Sequence, residues 1–144
     1  MSTTTKPDLS ITTTDHPNVA RLRDSFGAFG RGDLEAVRAS QTPDCVWTNV
    51  GTSPIAGTYK GWDAIVGMFG ALLAATDGTF SMSLITVLAN DTHAVAVYDA
   101  TSTVKGATET QRFVLIDDMT PDGKVKATQV LAYDQAAADA HIAR

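Results

Sequence analysis

The sequence predicts an α+β fold in which helices come first and a run of antiparallel strands follows. Three observations carry this. Apolar residues recur at helical spacing in two stretches of the first half, around Val19–Phe29 and Ile65–Leu73. From Phe80 onward the apolar pattern has a period of two and keeps it for four segments. Turn signals, the Asp122-Gly123 pair above all, separate those segments at hairpin spacing.

The elements follow in order. Residues 1–14, "MSTTTKPDLSITTT", are rich in Thr and Ser without any period and read as a loose leader, so the folded domain is expected over residues 15–144. Asp15 stands as a helix N-cap, with Pro17 in the first turn, where a missing N–H does no harm. Val19, Leu22, Phe26 and Phe29 form the apolar stripe of the first helix, and "GRGD" ends it, with Asp33 capping a short second helix that carries Leu34 and Val37 and stops before Pro43. "CVWTNV", Cys45 to Val50, is a short strand; "GTSPIAGTYKG" is a loop with a little extended structure. Asp63 opens a third helix whose stripe is Ile65, Met68, Phe69, Leu72 and Leu73. Strands are then expected at Phe80–Ala89, Thr92–Val104, Thr108–Met119 and Lys124–Asp134, and "QAAADAH" after the last is helical.

The bulk properties bound the function. A chain of 144 residues suits one domain. Its 11 Lys and Arg against 16 Asp and Glu give a net charge of −5, a sign that repels phosphate backbones and anionic membrane surfaces. Nucleic acid and membrane are therefore not expected as partners, no apolar stretch approaches a membrane span, and a cytoplasmic location fits. Cys45 is the single cysteine, which removes internal disulfides and cysteine-based metal clusters. His16, His93 and His141 are dispersed, without ligand spacing, and read as surface residues, so no metal is expected. Ser25 and Ser53 have no neighbouring His and no nucleophile-elbow context.

The order helix, Gly32-Asp33, short helix, Asp44 with Val46-Trp47, Gly57, Tyr59 and Gly61, long helix, and four strands with Gly123 and a closing Asp134-Gln135 resembles the SnoaL-like polyketide cyclases of the nuclear transport factor 2-like superfamily. Ketosteroid isomerases and limonene epoxide hydrolases share that superfamily, and the likeness covers roughly residues 17–141. The resemblance implies a cone-shaped, cystatin-like α+β roll: a curved mixed sheet covered by three N-terminal helices, open to a small apolar molecule. It implies acid/base work by a carboxylate inside the cone, without metal or organic cofactor, and a homodimer. Two known catalytic sets do not transfer. The isomerase positions fall on Ser25, Asn49 and Leu115, and an amide does not accept a proton from carbon as a carboxylate does. The epoxide hydrolase pattern keeps Asp99 but has Val97 in place of its Arg, and its partner position falls on Leu131. The cyclase pattern fits Asp134.

The candidate catalytic residues are thus Asp134 and Asp99, each with a second reading. Asp134 ends the strand "VLAYD" and stands equally where the following helix wants an N-cap. Asp99 lies mid-strand with Val95 and Val97 on its own face, where it is functional, paired with Arg112 on the next strand, or on a solvent face. Trp47, Asn49, Tyr59, Met68, Tyr98, Phe113 and Gln129 are the expected substrate-binding residues, the aromatic ones being equally suited to core roles. Cys45 reads as a small buried hydrophobe and Asp117-Asp118 as a solvated hairpin end. Two functions remain open: a cofactor-independent cyclase, isomerase or hydrolase acting on a small apolar molecule, and a non-catalytic binding or dimeric interaction module on the same fold. An uncharged cone would favour the second, and a desolvated carboxylate beside a donor such as Tyr98 the first.

Overall fold

A computed structural model describes residues 15–144, so the leader reading of residues 1–14 lies outside the described residues. The elements are α1 (Pro17–Gly30), α2 (Leu34–Ala39), β1 (Gln41–Asn49), β2 (Gly57–Lys60), α3 (Trp62–Ala75), β3 (Ser81–Ala89), β4 (His93–Val104), β5 (Ala107–Met119), β6 (Val125–Ala132) and α4 (Gln135–Ile142). They agree with the expected α+β order. The strands form one mixed sheet in the order β2-β1-β6-β5-β4-β3, with β1 and β6 parallel and every other pair antiparallel.

The sheet curves because its register breaks at three places. Ile85 has no partner between Leu84↔Tyr98 and Thr86↔Val97, β5 and β6 shift at Asp118/Met119, and β1 and β6 shift between Gln41 and Val46. An extra residue on one strand bends it and increases its twist. The third break explains why β1 begins at Gln41 rather than at Cys45: Pro43, which cannot donate to a ladder, sits inside the irregular stretch.

The concave face carries the core. α1 packs on β3 and β4 through Val19, Leu22 and Ala28, while α3 packs on β1 and β2 through Ile65, Met68 and Phe69. Leu73, expected on that stripe, is 40% exposed because it lies just past the face that Phe69 and Leu72 turn inward. The cap of α1 also differs from expectation. His16 rather than Asp15 is the N-cap, its Nδ1 accepting from the Asn18 backbone N–H at 3.1 Å while Nε2 faces Asp91 at 2.8 Å. Asp33 caps α2 as expected, accepting from the Ala36 N–H at 3.2 Å. No helix among the described residues is long and apolar enough to cross a membrane.

Candidate functional site

Between the helices and the concave sheet lies a cavity of about 150 Å³, walled by aromatic side chains. Phe26 meets Tyr98 edge-on at 5.0 Å, Tyr98 stacks on Phe113 at 5.7 Å, and Trp47 meets Phe69 edge-on at 5.2 Å. An apolar cavity of this size in another protein, an engineered lysozyme, holds benzene. The volume suits a single-ring molecule.

Two carboxylates line this apolar space, Asp139 on α4 and Asp117 on β5, and neither is one that the sequence pointed to. On β5 the side chains of Phe113, Leu115, Asp117 and Met119 alternate onto the concave face, and Asp117 is 4% exposed. The expected solvated hairpin end is therefore wrong for Asp117. The strand runs on for two further residues and its alternation turns this carboxylate inward, leaving Asp118 on the other face with His93 at 3.2 Å. Thr128 Oγ1 donates to Asp117 Oδ1 at 2.6 Å, and the Asp117 carboxyl makes no other hydrogen bond among the described residues. Burial pushes its pKa up to about 7, with the neighbouring Asp118 charge adding to the rise and the Thr128 hydrogen bond opposing it. A second cavity of about 10 Å³, lined in part by Arg21, Ser25 and Ser40, lies against the same carboxylate.

Tyr98 lines the main cavity and its hydroxyl has no hydrogen-bond partner among the described residues. Burial, and secondarily the Asp117 charge, raises its pKa, so the phenol stays a neutral donor. In the register Ala94 faces Asp117 and Tyr98 faces Phe113. The two polar groups are thus displaced from one another along the strands.

The other expected residues divide. Trp47, Asn49, Met68 and Phe113 line the cavity. Asn49 is oriented by accepting from Trp47 Nε1 at 2.8 Å and donating to Ile55 O at 2.9 Å. Tyr59 is outside the lining, its hydroxyl donating to Ile55 O at 2.9 Å, and Gln129 is exposed because Thr128 and Val130 take the inward positions of β6. Asp134 is exposed and caps α4, accepting from the Ala137 N–H at 3.0 Å; the strand ends at Ala132, before alternation could turn Asp134 inward. Asp99 is on the convex face, where Arg112 Nε donates to it at 2.9 Å and Arg112 Nη2 at 3.2 Å. That guanidinium holds its carboxyl below the ordinary value. Neither acid reaches the cavity. Ser25, Asn49 and Leu115, which occupy the isomerase positions, do line it, so the carboxylate of this chain stands one inward step along β5 from Leu115.

The C-terminal helix α4 forms part of the cavity wall through Gln135, Ala138, Asp139, His141 and Ile142. His141, expected at the surface, is 3% exposed because α4 folds back over β5 and β6. Its Nε2 lies 3.0 Å from Ser102 Oγ and 3.1 Å from Ser102 O, and its Nδ1 lies 3.2 Å from Glu109. Asp139, two residues earlier, accepts from the Thr52 N–H at 2.9 Å and ties α4 to the loop after β1. Burial pushes the Asp139 carboxyl up, but this bond and those from Gln135, the Thr52 hydroxyl and the Ser53 backbone outweigh it and hold the pKa low. Gly51 sits at φ +112°, where any Cβ would overlap the Asp139 carboxylate. Cys45 is fully buried, as expected, and burial with the charges of Asp117 and Asp44 pushes its thiol up to about 12, which leaves it unreactive. Among the described residues no group of three or more His, Cys, Asp or Glu is placed to hold a metal ion.

Comparison with known proteins gives a consistent result. Residues 22–128 match the SnoaL-like domain. An uncharacterized protein of Mycobacterium tuberculosis is 34% identical over 104 residues, 72% of this chain and 79% of that protein. Bal32a, from a soil-derived mobile gene cassette, superposes with a TM-score of 0.82 at 26% identity, over 88% of this chain and 96% of that one. An NTF2-like protein of unknown function from Burkholderia pseudomallei gives 0.76 at 22% identity, over 88% and 98%. A Mycobacterium tuberculosis protein solved in complex with estradiol-17beta-hemisuccinate gives 0.65 at 17% identity, over 81% and 92%, and shares the fold.

Proposed function

The chain belongs to the SnoaL-like family, and on that footing we propose that its cone binds a small, largely apolar molecule and moves a proton on it, with Asp117 as the acid/base group. The observation that carries this reading is the buried carboxylate of Asp117 in the same aromatic cavity as the free hydroxyl of Tyr98. A carboxylate removed from water is costly unless it is used or neutralised, and a proton affinity near neutrality is what general acid/base catalysis favours. This moves the role from Asp134 and Asp99 to Asp117.

In the proposed step, ionised Asp117 takes a proton from a carbon or hydroxyl of the ligand. Tyr98 donates a hydrogen bond to the oxygen on which negative charge develops, in an environment where such a bond is stronger than in water. Protonated Asp117 then returns the proton at a second position, giving net isomerisation or ring closure without a cofactor. The preferred ligand is neutral, since an anion placed beside Asp117 would repel it. The steroid ester held by the mycobacterial neighbour supports small-molecule binding on this fold. The cavity of about 150 Å³ here favours a single ring. We also infer a homodimer in the cytoplasm, with a second copy against the convex face near the exposed Ile85 and Leu88; light scattering on the purified chain tests the pairing.

The test is hydrogen–deuterium exchange at the α-carbon of simple cyclic ketones in D₂O, followed by NMR. Exchange by the native chain, rising with pH through about 7 as Asp117 ionises and lost in Asp117→Asn, is the expected result. The second reading, a binding module without chemistry, draws on the non-acidic Ser25, Asn49 and Leu115 at the isomerase positions. Saturable ketone binding with no exchange at any pH would establish it instead.

A further inference from the structure

We propose that Thr128 is the positioning residue of this site: its hydroxyl proton, directed at Asp117 Oδ1 over 2.6 Å, fixes the carboxyl's orientation and favours its ionised form. The proposal rests on the reading of Asp117 as the proton carrier.

The backbone builds this pair. Asp117 and Thr128 face each other directly in the β5–β6 register, and Trp47 faces Thr128 across the β1–β6 ladder, so Trp47, Thr128, Asp117 and Ala94 form one row across four strands. Thr128 is 3% exposed. A β-branched side chain in a strand has little χ1 freedom, so its hydroxyl is held in one direction. A hydroxyl has one proton, and an ionised carboxylate only accepts, so the polarity of the contact in the charged state is determined. With Oδ1 engaged, Oδ2 has no hydrogen-bond partner among the described residues and is the atom left for a ligand.

The other titratable or charged groups around the two cavities that meet Asp117 are Tyr98 from β4, Cys45 and Asp44 from β1, Asp118 on β5 itself, Arg21 from α1, and Asp139 and His141 from α4, of which Asp139 is held by Thr52 and Gln135. α2 and α3 contribute only uncharged residues to these walls. Arg21 is turned elsewhere: it donates to Asn18 Oδ1 at 2.8 Å and packs over Gly123. Substitution at Thr128 leaves all of these in place.

The experiment is a ¹³C NMR titration of the Asp117 side-chain carboxyl in the full chain without ligand, for the native protein, Thr128→Val and Thr128→Ser. Val preserves shape and removes the proton. The expected result is a rise of about one pH unit or more in the Asp117 midpoint with Val and a near-native midpoint with Ser. If Val does not fold, Thr128→Ala is read the same way. An unchanged midpoint in the hydroxyl-free variant, or a lower one showing that Thr128 accepts from the protonated acid, overturns the proposal. The titration needs no substrate, so a failure here is distinct from a failure of ketone exchange.

Discussion

Asp117 and Asp99 lie on adjacent strands of one sheet, and they differ chiefly in the face they occupy. Asp99, on the convex side of β4, meets a guanidinium across the ladder and keeps its charge easily. Asp117, on the concave side of β5, meets one hydroxyl and an aromatic chamber, and holds its proton to about pH 7. A one-residue phase of alternation puts the same functional group against water and a guanidinium or inside an apolar cavity.

The largest effect that tests this contrast is on stability. Folded Asp117 stays protonated up to about pH 7, whereas an unfolded aspartate releases its proton near pH 4, at about 3.9. Folding therefore takes up a proton between those values, and stability is full below pH 4 and falls as the pH rises through 7. The loss is on the order of 4 kcal/mol. Asp117→Asn removes it while keeping an acceptor for Thr128. Urea unfolding from pH 5 to 8 should show a declining native curve and a flat variant curve, with the variant more stable at pH 8. Parallel curves would mean that Asp117 is hydrated and the two faces are alike.

Tyr98 sharpens the concave side at the next level. Its hydroxyl bonds to nothing in the protein, so Tyr98→Phe should change unfolding stability by less than about 1 kcal/mol. Affinity for a ketone ligand should fall about tenfold, the worth of one hydrogen bond, while affinity for the matching hydrocarbon stays the same. Calorimetric titration with the two ligands separates these outcomes. A fold that collapses without the hydroxyl would make it a core group. Asp134, the other acid that the sequence singled out, belongs with Asp99: Asp134→Ala should cost about 1 kcal/mol through the lost cap and leave ketone exchange at the native rate.

Much of this was legible in the sequence. The order of elements, the α2 cap at Asp33 and the cap reading of Asp134 all rested on local signals that tertiary contacts did not override. Trp47, Asn49, Met68, Tyr98 and Phe113, which the sequence offers as pocket residues, line the cavity, the four strand residues by alternation and Met68 on the apolar stripe of α3. Asp117 was not among them. Val114 and Ile116 on the convex face are as apolar as Leu115 and Met119 on the concave one, so the phase of β5 was ambiguous and an Asp-Asp pair beside a turn read as solvated. The available clue was across the sheet: Asp117 pairs with Thr128, and Thr128 shares its face with Val130 and Ala132. His141 was missed for another reason. Its burial depends on where α4 folds, which one turn of alanines does not encode.

The smallest effect is expected at Asp99, and its smallness is informative. Arg112 holds Asp99 by two hydrogen bonds and also lies 6.0 Å from the centre of the Tyr133 ring, all on the solvent side of the sheet. Pairs of this kind gain little because water screens them and two long side chains must be ordered to form them. Asp99→Asn should therefore leave ketone exchange and its pH midpoint unchanged, and the small loss of stability should shrink further as salt is raised from 0.05 to about 0.5 M, where the Debye length falls well below 10 Å. NMR exchange rates and urea midpoints at the two salt levels measure both. If Asp99→Asn abolished exchange while Asp117→Asn did not, the assignment of the two faces would be reversed, and the apolar cavity would be a core void with the chemistry outside it.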